Sequence, residues 1–473
     1  MNNKKQIWVM TVLILVIGLM FGWYFAFNKK DEVLDEDNSN YIIAAFINGE
    51  ASTTFPTTKD YIADVTCKKG SAEVNIGAKV AWTGTKWKLS VDDASVSDVA
   101  CNIRFVTKPT WSSPGTGTLL AAIKSNNTVK SPTTTPGSAI SADTEALLAS
   151  TADDYGTSYY FRGAVTNNFV EYANMCWRIV RVTGDGSIKL VLYNYNGLTD
   201  GNTTPDSVTP CSETGNDYAF ARYEGDTYTS RFNSSASDNA YVGLMYGTAS
   251  ASSYAETHAN TNPSPILTNL NKWYTNVLSK QANFSDSQLA DTIWCNDKSV
   301  VTDTTFNPDN YTLGTNYGYA KNVNYYSATK RLIQASSYTA GGIGPSLICP
   351  NDNNGGKLSK FTVSDTTNGN GALSGYAKVG LLTADEIAFA GGAYGTSNST
   401  YYIKGNTNSS WLALSSGFFG GFGTRVWGVS SRDFLSLVLV YNGYGVRPSL
   451  SLVASTKIIS GSGTASNPYR IAG

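Results

Sequence analysis

Two adjacent carboxylates, Asp385 and Glu386, are the residues of this sequence that most resemble an acid–base pair. They stand in Thr383-Ala-Asp-Glu, directly before Ile387, and a Thr followed three residues later by Glu is the capping box that opens a helix. We therefore expect Glu386 to reach back to the start of a helix and to serve structure. The alternative is a secreted hydrolase that uses carboxylates of the long central segment.

Catalysis and metal binding that depend on several histidines are excluded, because His258 is the only histidine in 473 residues. Ser/His/Asp and Cys/His catalysis and multi-histidine metal sites therefore lack their central residue. Asn351-Asp-Asn-Asn-Gly-Gly is similar to part of a calcium loop, but no Glu stands at the twelfth position, which excludes an EF-hand and leaves isolated calcium open. We predict no catalytic residues, no cofactor and no assigned metal site, and hence a protein that is not an enzyme.

The cysteines offer redox chemistry instead. The six fall into three sequential pairs along the chain, namely Cys67 and Cys101, Cys176 and Cys211, and Cys295 and Cys349. No Cys-x-x-Cys is present and no histidines can complete a zinc site, so we predict disulfides in an oxidising compartment. Six buried thiols in a cytosolic protein are the alternative.

The composition excludes some partners. Lys plus Arg number 35 against 36 Asp plus Glu, a net charge of -1, and a nucleic-acid binder needs a basic surplus. Only 15% of the chain is charged, 41% is apolar, and Gly (44) and Tyr (29) are abundant. These values predict a folded extracellular protein of roughly three domains that binds no nucleic acid.

Residues 7–27 form an uncharged run flanked by lysine pairs at 4–5 and 29–30. As a helix the run would rise about 31 Å, enough to cross a hydrocarbon core of about 30 Å. A cleavable signal peptide has a shorter apolar region ending in small residues, whereas this run ends in bulky aromatics. We predict an uncleaved signal anchor in the cell membrane, a single pass, with the N-terminus cytoplasmic and everything from about Asn38 outside.

The residue patterns divide the rest of the chain into several segments. Residues 31–40 read as an acidic stalk, and residues 41–109 alternate short apolar runs with turns, which predicts a small all-β domain stapled by Cys67 and Cys101. Residues 110–153 have the Ser/Thr/Pro composition of a flexible linker. We expect a distal domain over 154–455 and a C-terminal tail over 456–473.

The distal domain carries both strand and helix signals. Cys176-Trp-Arg-Ile-Val-Arg-Val and Ser187-Ile-Lys-Leu-Val-Leu-Tyr flank a Gly/Asp turn and predict a hairpin, with Arg178 and Arg181 on opposite faces. Residues 266–278 have apolar residues at helical spacing. Arg447, before a proline, is expected to pair with a carboxylate or backbone carbonyls of the scaffold. The fold class predicted is α+β.

Several motifs carry a family resemblance over about residues 155–455. In chain order they are Tyr159-Tyr-Phe-Arg-Gly, Cys176-Trp-Arg-Ile-Val-Arg, Trp294-Cys-Asn-Asp, Gly380-Leu-Leu-Thr-Ala-Asp-Glu, Ser410-Trp-Leu-Ala-Leu-Ser and Gly445-Val-Arg-Pro-Ser-Leu-Ser-Leu. The series resembles membrane-anchored surface proteins of Gram-positive, gut-type bacteria with a C-type-lectin-like, formylglycine-generating-enzyme-like module. The resemblance implies a β-rich mixed fold and the pairs Cys176–Cys211 and Cys295–Cys349. The enzyme activity does not carry over, because no thiol pair is left.

The same fold resembles the variable proteins of diversity-generating retroelements, whose Trp-rich variable segment closes on a Gly-Val-Arg-Pro-like sequence. The corresponding segment here is 411–447, and it contains no Lys, Glu, Gln or Met, residues that mutation of the two adenines of an AAC codon cannot produce. The resemblance implies that this segment is diversified.

Aromatic and polar residues crowd into this segment between glycines, as in surface loops. The candidate ligand-binding residues are Phe418, Phe419, Phe422, Arg425, Trp427, Arg432, Asp433, Phe434, Tyr441, Asn442 and Tyr444. Tyr, Trp and Arg are the usual anchors of binding hot spots. Part of the set could instead be core, since residues 434–440 are apolar on both faces of a strand; we therefore weight the loop aromatics above the strand.

The sequence thus predicts a membrane-anchored extracellular ligand-binding or adhesion protein whose partner is an extracellular protein or glycan of unknown identity. A structural envelope protein without a dedicated ligand is the alternative, and the hydrolase is a third. Replacing Phe418, Phe419 and Trp427 by Ser should abolish adhesion without changing the melting temperature if these aromatics are exposed.

Overall fold

The computed structural model describes residues 41–93, 95–138, 140, 145–212, 217–350, 360–361, 378–398, 400–404 and 410–472. The chain forms two compact units that divide between Lys108 and Pro109. The anchor predicted over 7–27, the stalk over 31–40 and the calcium-like motif at 351–356 lie outside the described residues. Within the described part of the chain, no helix is both long enough and apolar enough to cross a membrane.

Within residues 41–93 and 95–108, the first unit consists of strands and the turns between them. The strands are β1 (Tyr41–Ile47), β2 (Glu50–Ser52), β3 (Tyr61–Lys69), β4 (Ala72–Glu73), β5 (Lys79–Trp82), β6 (Trp87–Ser90) and β7 (Val99–Thr107). Five form a sheet in the order β2-β1-β7-β3-β4, with β1 parallel to β7, while β5 and β6 pair as a hairpin. Ile103 and Phe105 of β7 are fully buried, and Trp87 packs edge-on against Phe105 at 5.3 Å.

The second unit is rich in short strands. They are β8 (Ala146–Asp153), β9 (Gly156–Gly163), β10 (Phe169–Tyr172), β11 (Met175–Val182), β12 (Ile188–Asn194), β13 (Thr229–Arg231), β14 (Met245–Tyr246), β15 (Asn262–Pro263), β16 (Trp294–Cys295), β17 (Asn324–Tyr325), β18 (Lys360–Phe361), β19 (Trp411–Gly420), β20 (Gly423–Val429), β21 (Leu435–Leu439), β22 (Gly443–Gly445), β23 (Ser449–Leu452), β24 (Ile458–Ser460) and β25 (Tyr469–Ile471). The α-helices of its described residues are α1 (Leu119–Asn126), α2 (Tyr254–Thr257), α3 (Pro265–Asn276), α4 (Ser327–Leu332) and α5 (Ala384–Ala390). The expectation of a β-rich fold with a few helices is confirmed.

The predicted hairpin and helix form the centre of the second unit. β11 and β12 pair antiparallel within an eight-stranded sheet, in which β12 also pairs with β23, and every residue of β11 is buried. The helix predicted over 266–278 begins at Pro265, is capped by Ser264, and ends at Asn276. Trp273 of this helix lies 6.2 Å from Trp177 of β11, ring centre to ring centre. Burying both indoles fixes α3 on the sheet.

The second sheet carries the segment 411–447. Its order is β13-β22-β19-β20-β21, and β17 pairs with the end of β19. The register places Arg425 opposite Leu439 and Trp427 opposite Leu437. Because partners across a sheet share one face, these four side chains lie on the same side of it.

Two predicted boundaries are wrong. The segment 110–153 is not a linker, because α1 buries Leu119, Leu120 and Ile123 completely and β8 pairs with β9 along its whole length. Residues 456–473 are not a free tail, since Tyr469 of β25 pairs in parallel with Val170 of β10. The overall Ser/Thr/Pro composition of 110–153 predicted a linker, but the segment also contains apolar residues that are buried in the core of the second unit.

The three predicted disulfides are present, as Cys67–Cys101, Cys176–Cys211 and Cys295–Cys349. The first joins directly opposite residues of β3 and β7. The second ties β11 to the turn at Pro210–Ser212, and the third begins in β16. The described cysteines leave no free thiol.

Candidate functional site

Three aromatics predicted as exposed loop residues are instead core. Trp427 is 0% exposed, Phe418 3% and Phe419 6%. Phe418 and Phe419 lie in β19, where Phe418 stacks on Tyr325 at 4.6 Å, and Trp427 lies in β20 against Tyr394 at 5.7 Å. The prediction that these rings form a ligand-contacting surface is wrong, because other segments of the chain pack against them and leave little of their surface exposed.

The remaining candidates divide between opposite ends of the sheet. Phe422 (71% exposed) and Tyr441 (42% exposed) lie in the turns β19–β20 and β21–β22 at one end of β20, and the half-buried Asn442 follows Tyr441. Tyr444 is half-buried in β22, next to Gly445, which pairs with Trp411 at the opposite end of β19. Arg432 is exposed, and Asp433 and Phe434 are half-buried, in the β20–β21 turn at the other end. The length of β20 separates the two ends by about 20 Å, at about 3.3 Å per residue. They cannot belong to one small contact area.

The turn that carries Phe422 has a fixed backbone. Gly423 adopts φ +99°, and a Cβ at this position would stand 2.7 Å from the carbonyl oxygen of Ala236. The Thr424 N–H donates to that same oxygen at 2.9 Å. Glycine is therefore required, and the turn is held by the neighbouring loop while the Phe422 ring projects into solvent.

One side of the β20–β21 pair also contributes partly exposed residues. Leu437 and Leu439 are half-buried, whereas Val438 and Val440, which point to the other side, are buried. The two-sided apolar strand is thus core on one face and partly open on the other. We call Phe422, Arg425, Leu437, Leu439 and Tyr441 together the outer face.

Tyrosines from distant segments border Arg425 on the outer face. Tyr338 packs edge-on against Tyr394 at 4.9 Å, and Tyr311 packs on Phe418, the cross-strand partner of Arg425. Burial raises the pKa of the Tyr338 and Tyr394 hydroxyls, and the nearby Arg425 guanidinium opposes the rise. Sequence reasoning did not find these tyrosines, because they stand from about 30 to over 110 residues before Arg425 and no local pattern connects them to it.

Asp309 is a charged residue close to Arg425. Burial raises the pKa of its carboxyl, and Arg425 again opposes the rise. Asp309 and Arg425 nevertheless form no ion pair within 4 Å among the described residues. The outer face is thus bordered by tyrosine rings and by the Asp309 carboxylate, which lies near the Arg425 guanidinium without forming an ion pair with it.

The Asp385–Glu386 pair has the predicted structural role. Thr383 and Glu386 form the capping box of α5. The Glu386 carboxylate also accepts from Lys189 Nζ at 2.7 Å and Arg181 Nε at 3.0 Å, both buried. Burial alone would raise the pKa of Glu386, but Lys189 and Arg181 outweigh it and hold the value at about 2.

The neighbouring charges are paired in the same way. Arg331 holds Asp385 at 2.6 Å and Asp297 at 3.0 Å, and Arg181 also holds Asp153 at 2.7 Å. These groups line a cavity of about 20 Å³, room for about one water molecule. The cluster joins β8, β11, β12, α4 and α5, and its carboxylates are engaged by cations.

The other arginines and the single histidine are also internal. Arg178 lies 3.8 Å over the Phe169 ring and binds Asn168, well apart from the partners of Arg181, as expected for opposite faces. Arg447 donates to the carbonyl oxygens of Leu192 and Ile403, as predicted for a scaffold residue. His258 is fully buried with Nε2 2.7 Å from the Gly318 oxygen, and burial together with Lys298 lowers its pKa well below 6.5.

Neither metal ligation nor similarity to known proteins identifies the site. Across the described ranges, no three His, Cys, Asp or Glu side chains are grouped so that they could hold a metal ion. No family model, no curated protein and no solved structure matches this chain. The outer face and the chain's own chemistry are therefore the basis for a functional proposal.

Proposed function

We propose that this chain is a membrane-anchored extracellular ligand-binding or adhesion protein, with the outer face as its recognition surface and a C-type-lectin-like distal module as its scaffold. Three disulfides support an oxidising location, in keeping with a segment at 7–27 long and apolar enough for an anchor. The ion pairs of Asp385 with Arg331 and of Glu386 with Lys189 support binding over hydrolysis, because both carboxylates are held by cations of the scaffold.

The observation that carries the proposal is the exposure of Phe422 on a turn of fixed backbone, next to Tyr441. A Phe ring that is 71% exposed gains nothing for folding, yet Gly423 and Ala236 hold its turn in one conformation. Rigid presentation reduces the entropy lost on binding, and exposed aromatic residues near an Arg are typical of binding hot spots.

Replacing Phe422 and Tyr441 together by Ser is expected to reduce adhesion at least tenfold while shifting the melting temperature by no more than about 2 °C. Cells that display the full chain would be counted on immobilised mucin, extracellular-matrix proteins and a glycan array. Ile459→Ser is the matched control, because Ile459 is an equally exposed apolar residue (72%) on β24, in the other sheet.

Equal loss with Ile459→Ser would show that general surface hydrophobicity, and not the outer face, drives attachment. Unchanged adhesion of the double variant would refute the proposed surface. If the wild type attaches to none of the surfaces and its removal alters only the envelope, a structural role without a dedicated ligand takes the place of adhesion.

We further propose that the segment 411–447 is diversified. Variation among strains should then concentrate at exposed positions such as Phe422, Arg432 and Tyr441, and spare the buried Phe418 and Trp427, because a substitution there would unfold the scaffold. Genome sequencing should find a near-repeat of the codons for 411–447 that differs only at adenines, beside a reverse transcriptase gene. Absence of the repeat, with variation spread evenly over the chain, would contradict diversification.

A further inference from the structure

We infer that the outer face binds an acidic protein segment, with Arg425 as the residue that receives its carboxylate. The inference rests on the proposed function, since it names the ligand class of that surface. It depends on the hydrogen-bonding state of Arg425, on the charge around it and on the apolar character of its neighbours.

Arg425 has a donor without an acceptor. Its Nε atom is shielded from solvent and has no hydrogen-bond partner, and its guanidinium makes no hydrogen bond or ion pair with any residue in the described ranges. A shielded N–H that is left unpaired is unfavourable. The two terminal nitrogens are not among the shielded atoms, and a carboxylate that binds both of them side by side would give the guanidinium the paired geometry that Arg favours.

The surroundings of Arg425 favour an anion from outside. The half-buried setting among Tyr311, Tyr338 and Tyr394 weakens solvent screening, and Asp309 is too far away to form an ion pair within 4 Å. The segment 411–447 contains three arginines and one aspartate. Of these arginines, Arg447 is buried on backbone carbonyls and Arg432 stands at the opposite end of β20, so Arg425 supplies the positive charge of the outer face.

The apolar neighbours favour a protein segment over an acidic sugar. Leu439 stands directly across from Arg425, Leu437 follows on the same face, and Phe422 and Tyr441 flank the adjacent turns. Sugar hydroxyls placed against the two leucines would lose water without gaining partners. A peptide with Asp or Glu beside aliphatic or aromatic residues matches both the charge and the apolar surface.

Selection from a random twelve-residue peptide library on the full-length protein in lipid nanodiscs tests the inference. The wild type should enrich peptides that place Asp or Glu next to apolar residues, and the binding of such a peptide should weaken as salt is raised. Arg425→Gln should weaken that binding about ten- to a hundredfold, as expected for a lost charge-assisted hydrogen bond. Arg104→Gln, with the same change of charge at an exposed position of β7 in the first unit, should leave the affinity within about twofold.

The outcomes separate the two proposals. Peptides without acidic preference that still depend on Phe422 and Tyr441 would overturn the acidic ligand and preserve the recognition surface. Binding of glucuronate but not glucose, without peptide enrichment, would overturn the protein segment in favour of an acidic sugar. Equal effects of Arg425→Gln and Arg104→Gln would reduce the role of Arg425 to general charge and refute the assignment.

Discussion

Trp427→Ser is expected to lower the free energy of unfolding of the second unit by about 3–5 kcal/mol, the usual cost of truncating a fully buried large aromatic residue. The side chain is 0% exposed and packs against Tyr394, opposite Leu437 on the next strand. The melting temperature should fall by about 4–7 °C, given the size of the second unit. Thermal unfolding followed by circular dichroism measures the change, and Phe418→Ser should behave similarly.

Phe422→Ser is the matched control for Trp427→Ser, because it removes a large ring from the same pair of strands at an exposed position. Its stability should stay within about 0.5 kcal/mol of the wild type. A stable Trp427→Ser variant that loses adhesion would reinstate this residue as a ligand contact and contradict the buried position found for it.

Glu386→Gln is expected to destabilise the second unit by about 3–5 kcal/mol, because it leaves Lys189 and Arg181 buried without their shared carboxylate. Glutamine keeps the length of the side chain and an oxygen that can still accept from the Thr383 N–H, so the helix cap is largely preserved. Chemical denaturation measures the loss. Asp92→Asn serves as the control, since its ion pair with Lys79 is exposed and should contribute little.

The same residue gives stability a defined pH dependence. The pKa of Glu386 is about 2 in the folded chain, below its ordinary 4.5, so folding favours the ionised form. Its contribution is fully present above pH 4.5 and is lost as the pH falls from 4.5 toward 2, about 3 kcal/mol in all. Denaturation midpoints across this range should fall less steeply for Glu386→Gln than for the wild type. Parallel profiles would show that the buried ion pairs do not set the acid limit.

Local patterns predicted the second unit well where neighbours in sequence are neighbours in space. The β11–β12 hairpin, the helix α3 and the capping box at Thr383 each depend on residues within one element, and all three are present. Pairing of cysteines within short stretches succeeded for the same reason.

The exposure of the residues in the proposed recognition surface could not be predicted from local patterns. Glycine and aromatic residues around Phe418 and Trp427 have the composition of loops, but Tyr325 and Tyr394, far away in sequence, cover these rings and make them core. The tyrosines that border Arg425 are equally remote in sequence. The exposed surface of a side chain depends on the whole fold. The alternation of residues along a strand does not show which of its two faces another segment will cover.

The disulfides determine how far the chain can be stretched. Cys67–Cys101, Cys176–Cys211 and Cys295–Cys349 close loops of 34, 35 and 54 residues. A load applied between the two ends of the molecule cannot extend these loops, and at about 3.4 Å per residue each of the shorter two withholds roughly 12 nm of contour length. Even after its sheets have unfolded, a chain pulled in this way therefore remains shorter than its number of residues alone would allow.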